Sequence, residues 1–212
     1  MRTRMITLLL IIGLGFCLLM LISRLGGYHL PGNQQGYEPA QPVPFSHRLH
    51  AGEQQISCVY CHSGVENGKH AGIPATSLCL NCHKTPVGAL GDELALAQKE
   101  TRSPRVSPGL SKLHESLGLD GKGQADPSRK PRPIPWVRVH SLPDFACFDH
   151  RAHVQAGVAC QKCHGSVETM ERIRQVEDLS MGWCVNCHRE VNRTSVSGKK
   201  VHASIDCGAC HY

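Results

Sequence analysis

The sequence predicts a mainly α-helical chain with few regular elements, preceded by one N-terminal transmembrane helix. Three observations carry this expectation. Met5 to Ile22 is almost wholly apolar and long enough to cross a bilayer as a helix. Aromatic residues make up only 5% of the chain, against 21 Gly and 13 Pro, a composition too poor in large side chains for an ordinary core. One short pattern, Cys-x-x-Cys-His, returns five times downstream of the apolar run.

The anchor comes first in chain order. Arg2 and Arg4 precede the apolar run and Arg24 alone follows it, so the positive-inside bias keeps the N-terminus cytoplasmic and exports the rest. A cleaved signal peptide would have a shorter apolar region and a small-residue cleavage site, and none follows. Phe16 ahead of Cys17 is too bulky for a lipoprotein signal. The expectation is an uncleaved single-pass anchor over residues 1–25 in a bacterial inner membrane, with the remainder on the periplasmic side. Residues 26–44, rich in Gly, Pro and Gln, are expected to form a tether.

The repeated pattern reads Cys58-Val-Tyr-Cys61-His62, Cys79-Leu-Asn-Cys82-His83, Cys160-Gln-Lys-Cys163-His164, Cys184-Val-Asn-Cys187-His188 and Cys207-Gly-Ala-Cys210-His211. This is the c-type haem attachment signature. Two thiols add to the haem vinyl groups, and the two-residue spacer lets one helical turn present both sulfurs to one porphyrin edge. The adjacent histidine is then aimed at the iron as proximal ligand. Zinc would want four ligands from paired Cys-x-x-Cys clips and gives no reason for a histidine after every pair. A thioredoxin-like site would occur once in a βαβ pattern, and disulfides between cysteines three apart are strained. Five covalently bound haems therefore organise the expected fold. Cys17 and Cys147, outside the motifs, are expected to be small apolar groups.

After the anchor the chain is duplicated. Phe45–Glu66 (FSHRLHAGEQQISCVYCHSGVE) matches Phe148–Glu168 (FDHRAHVQAGVACQKCHGSVE), and each copy continues into a second motif with Asn before its second cysteine. Two-haem modules follow over residues 45–87 and 136–194, with a single-haem segment over 195–212. Between them, residues 88–135 are expected to be a connector: a short helix over Gly88–Lys99, then an extended or mobile Pro/Gly/basic stretch. Glu168–Leu179 is expected to be an amphipathic helix.

Five irons need up to five distal ligands, and nine histidines lie outside the motifs. The two H-x-x-H pairs, His47 with His50 and His150 with His153, can each project both rings to one side of a helical turn and serve two neighbouring irons. The fifth position is open among His70, His140, His202 and Met181. A thioether there would raise the potential relative to bis-histidine. His29 and His114 are expected to be solvent-exposed.

The formal charge of +6 suggests no nucleic-acid partner. Two propionates per haem would bring the loaded chain to about +1 oxidised and about −4 reduced, so the basic excess compensates the cofactor.

Taken together, the anchor, PVPFSHRLHAG, CHSGVENGKHAGIP, VRVHSLPDFACFDH and MGWCVNCHRE resemble the pentahaem cytochrome c subunit of alternative complex III, related to class III and c7-type cytochromes. The resemblance covers Val43–His83 and Trp136–Glu190 closely. The C-terminal haem matches only in kind, and Cys147 stands where the family generally has a bulkier residue. The resemblance implies a membrane-anchored electron-transfer subunit, not itself an enzyme. Its partners would be polytopic quinol-site subunits and a molybdopterin-enzyme-like iron–sulfur subunit. Its acceptor would be a monohaem cytochrome c or a terminal oxidase. A multihaem reductase would need a vacant iron, often marked by an altered attachment motif, whereas all five motifs end in His. A self-sufficient quinol dehydrogenase would hold a haem close to the membrane, whereas about 35 residues separate Ile22 from Cys58. A related complex running electrons toward quinone is the remaining alternative.

Overall fold

The computed structural model describes residues 2–25, 34–84 and 107–211. The helix expected over Gly88–Lys99 lies outside them. Helix α1 (Arg2–Leu25) runs 24 residues, about 36 Å at 1.5 Å per residue, against an apolar bilayer layer of roughly 30 Å. Its segment Arg4–Ile22 has a mean hydropathy of 2.9 and is not buried against the rest of the chain. Leu10, Leu14 and Leu19 stand 69%, 71% and 70% exposed. So large an apolar surface is compatible with a membrane anchor.

The remaining longer helices are α2 (Pro108–Ser116), α3 (His150–Gln155) and α4 (Met181–Arg193). Between them run single helical turns and extended backbone, with isolated bridges but no β-strand among the described residues. Short polar side chains start these elements. Asp149 Oδ1 accepts from the Arg151 amide at 2.9 Å to cap α3, and Ser180 Oγ accepts from the Trp183 amide at 3.2 Å to cap α4.

The two copies of the repeat dock reciprocally. The turn Arg48–Glu53, a π-helix in the first copy, packs on the 3-10 turn Val167–Thr169 that follows the third motif. In return α3 packs on Ser63–Glu66, the 3-10 turn that follows the first motif. Backbone hydrogen bonds hold both contacts: Arg48 N to Met170 O at 2.8 Å, and His150 N to Lys69 O at 3.2 Å. The first contact is close enough to need glycine, because a Cβ on Gly52 would run into the Glu168 carbonyl. Each copy thus completes the other.

The buried apolar side chains among the described residues are Val43, Leu113, Ile134, Val139 and Met170. Three of these, Val43, Leu113 and Ile134, form one cluster with Cys79, Leu110, Leu117 and Trp136 packed around it. A core this small cannot offset the ordering entropy of so long a chain. It agrees with a fold completed by something apolar other than its own side chains.

Three expectations are corrected here. The described part of the connector is ordered: Ser107 caps α2, Pro108 opens it, and Leu110, Leu113 and Leu117 share one face against the cluster. That face also buries His114, 2% exposed, which was expected in solvent. Glu168–Leu179 is not an amphipathic helix. After Thr169 it runs extended, because Gln175 pairs its backbone with Gly36 and Tyr37 and its Nε2 donates to the Glu177 carbonyl at 2.9 Å. The described end of the tether is docked accordingly: Gln35 Nε2 donates to Val176 O, and Gln41 exchanges two hydrogen bonds with the Val137 backbone.

Candidate haem sites

Each motif folds locally as its sequence requires. Cys58–Cys61, Gln161–His164 and Cys207–Cys210 are single helical turns, the second starting just after Cys160, and Thr76–Asn81 is a 3-10 turn. The fourth motif lies inside α4. A helical turn puts residues i and i+3 on one side, which is what a two-thiol attachment needs.

The histidines then pair. His50 lies across from His83 with ring centroids 6.0 Å apart, and His153 lies across from His188 at the same 6.0 Å. His150 faces His164 at 6.4 Å with rings 3° from parallel. A metal–imidazole bond of about 2 Å places two rings on opposite sides of one metal about 6 Å apart, centre to centre. The centroid separations of all three pairs match that spacing. By the duplication His47 corresponds to His150 and would pair with His62. His47 is pushed down to about 4 by burial first, then by His62 and His50, so the structure does bring it near His62.

The other ring nitrogens fix the tautomers. His62 Nδ1 donates to the Gly72 carbonyl at 2.7 Å, His50 Nδ1 to Ser46 O at 2.8 Å, and His150 Nδ1 to Lys69 O at 2.7 Å. His153 Nδ1 donates to Asp149 O at 2.9 Å, His188 Nδ1 to Ser204 O at 2.5 Å, and His211 Nδ1 to Phe145 O at 3.2 Å. With the proton on Nδ1, the Nε2 lone pair of each is free for a metal. Burial, followed by His140 and His150, holds His164 at about 4, so it is neutral at physiological pH. These residues fit c-type haem: paired imidazoles at iron-sized spacing, with His50, His62, His150, His153 and His188 anchored through Nδ1 to backbone carbonyls, beside thiols at attachment spacing. Among the described residues no three His, Cys, Asp or Glu side chains converge on a bare metal ion.

The thiols form a file of neighbours. Cys79 is raised by burial and then by Cys61; Cys61 by burial, then Cys58 and Cys82. Cys160 is raised by burial and then by Cys58, with the two sulfurs in hydrogen-bond contact across the two copies. Burial pushes Cys163 up to about 11, with Cys187 next among the causes, and Cys184 is raised by burial and then by Cys210. Thiols of the first motif thus influence those of the second and third, and thiols of the fourth those of the third, with Cys210 of the fifth near Cys184. The fifth is fastened to the second copy by the Cys147 amide, which donates to Cys210 O at 2.7 Å.

The candidates for the fifth distal position separate. His70, His202 and Met181 are exposed, and neither His70 nor His202 makes a ring contact with another histidine among the described residues. His140 is half-buried against His164, ring centroids 4.5 Å apart. Sequence reasoning missed His114, whose Nε2 lies 2.9 Å from the His83 carbonyl. The signal was present in the spacing Leu110, Leu113, His114, Leu117, which is one helix face.

Two comparisons bear on this geometry. Residues 146–212 match the family model for cytochrome c7 and related cytochrome c. Over 191 residues the chain is 24% identical to the menaquinone reductase, multiheme cytochrome c subunit, of Nitratidesulfovibrio vulgaris, covering 81% of this chain and 76% of that protein. Motifs, paired histidines and both likenesses meet at one level: they support a multihaem c-type cytochrome, with residues 146–212 similar to cytochrome c7.

Proposed function

We propose that the chain is a five-haem electron-transfer subunit of a quinone-linked respiratory membrane complex. In this reading α1 holds it in a bacterial inner membrane with the haem-bearing part on the periplasmic side. The observation that carries the proposal is the set of histidine pairs at 6.0, 6.0 and 6.4 Å. Bound haem c supplies one-electron redox chemistry. The residues do the rest. Ten thiols tether the groups, His62, His83, His164, His188 and His211 bind from one side, and His47, His50, His150 and His153 close the other. Closed irons favour conduction over substrate chemistry, and the file of attachment thiols gives contiguity.

The complex we favour is of the alternative complex III type, on the resemblance in PVPFSHRLHAG and VRVHSLPDFACFDH. Polytopic quinol-site subunits and an iron–sulfur subunit would then deliver electrons, and a monohaem cytochrome c or a terminal oxidase would accept them. The relative named as part of a menaquinone reductase favours a second reading, the same subunit in a complex that delivers electrons to menaquinone. Affinity purification of the full-length chain from its native membranes tests both. Co-elution of iron–sulfur and polytopic subunits, with menaquinol reducing the cytochrome only in their presence, supports the first. Menaquinone reduction by a periplasmic donor supports the second. A solitary chain reduced directly by menaquinol would overturn both.

A further inference from the structure

We infer that His140 is a positioning residue for His164 rather than an axial ligand; this rests on the reading of Cys160–His164 as a haem site. Its Nε2 lies 3.3 Å from Nδ1 of His164, with the rings 80° apart and centroids separated by 4.5 Å. Two imidazole nitrogens on opposite sides of one metal are about 4 Å apart and their ring centres about 6 Å. His140 is too close for that role and meets the wrong nitrogen. His150, at 6.4 Å from His164, has the ring separation His140 lacks.

Chemistry then fixes the direction of the hydrogen bond. With Nε2 on an iron, His164 carries its proton on Nδ1, so Nδ1–H donates and Nε2 of His140 accepts. The accepting lone pair is thereby used. His50, His62, His150, His153, His188 and His211 direct Nδ1 at backbone carbonyls. His164 directs it at an imidazole, a stronger acceptor than a peptide oxygen. A stronger acceptor on Nδ1 makes the coordinating nitrogen more basic and favours the ferric state. The His164 site is therefore set lower in potential than a carbonyl partner would set it. The backbone holds His140 in place: Val139 beside it is buried at 6% exposure, and Arg138 Nε donates to the His140 carbonyl at 3.0 Å. No backbone carbonyl can be deleted by substitution, but this acceptor can.

The test uses the full-length holoprotein with His140→Leu and His140→Gln, read by haemochrome assay, electron paramagnetic resonance, carbon monoxide binding and potentiometric titration. His140→Leu should retain five covalent haems with the spin state and carbon monoxide binding of the unaltered chain, while one midpoint rises. His140→Gln, with a side-chain carbonyl to accept, should return that midpoint most of the way. A new high-spin, carbon-monoxide-binding haem in either variant would make His140 a ligand and overturn the inference. Unchanged midpoints in His140→Leu would overturn it as well. If His140→Leu does not mature, the spin state of His140→Gln decides alone. Failure of the haem reading itself would show earlier, as missing covalent haem in the unaltered chain.

Discussion

His114 Nε2–H donates to the carbonyl oxygen of His83 at 2.9 Å, from a ring only 2% exposed. This one bond joins α2 to the residue expected to bind the second iron. Beside it, Gly123 has φ +77 and leaves no room for a Cβ against the Lys84 carbonyl. The described connector is thus a clamp on the second motif.

His114→Leu should remove the donor and leave the His83 carbonyl unpaired. The expected loss is about 1–3 kcal/mol, read as a lower thermal midpoint of the holoprotein. His114→Gln, which keeps a donor, should recover part of it. Equal stability of His114→Leu and the unaltered chain would count against the clamp.

Leu113 is 5% exposed, and its cluster includes the attachment residue Cys79. Leu113→Ala should cost about 2–4 kcal/mol as a cavity that the surroundings fill incompletely. Limited proteolysis should then cut first within residues 107–135, while the second copy of the repeat resists. Cleavage spread evenly over the chain would show that the cluster does not hold the connector locally.

Gly52→Ala should push Arg48–Glu53 away from Val167–Thr169, because the added Cβ meets a backbone oxygen rather than a yielding side chain. Destabilisation of about 1–3 kcal/mol is expected. Hydrogen exchange should quicken at Arg48, whose amide donates to Met170 O across that contact. Unchanged exchange at that amide would contradict the reciprocal docking.

His50→Ala and His153→Ala should each open one iron, adding one carbon-monoxide-binding haem to the reduced chain. His202→Ala, at an exposed histidine, should leave the spin state unchanged. No added high-spin haem in either His50→Ala or His153→Ala would remove those residues from the ligand set.

What could be read from the sequence was what lies close along the chain. Cys-x-x-Cys-His and H-x-x-H each fit within one helical turn, so local backbone geometry suffices to align their side chains, and α1 declares itself by composition alone. Relationships across the chain were not legible. His140 meets His164 from 24 residues away, and no periodicity encodes that. Glu168–Leu179 has helix-compatible spacing, yet backbone pairing with Gly36 and Tyr37 draws Gln175 into extended structure. In α2 the pattern was present, but dense Pro, Gly and basic residues around Leu110, Leu113 and Leu117 obscured a face only three leucines wide. Helix propensity there is overridden by burial against Val43 and Ile134.

The central claim is five attached haems, four of them closed by His47, His50, His150 and His153, and haem stoichiometry with coordination tests it most directly. Intact mass and pyridine haemochrome assay of the full-length chain, matured in a bacterial host with cytochrome c assembly, should give five covalent haems per polypeptide. At least four of the five reduced haems should be low-spin and unchanged by carbon monoxide. A colourless, full-length chain carrying zinc at its cysteines would contradict the account at its root.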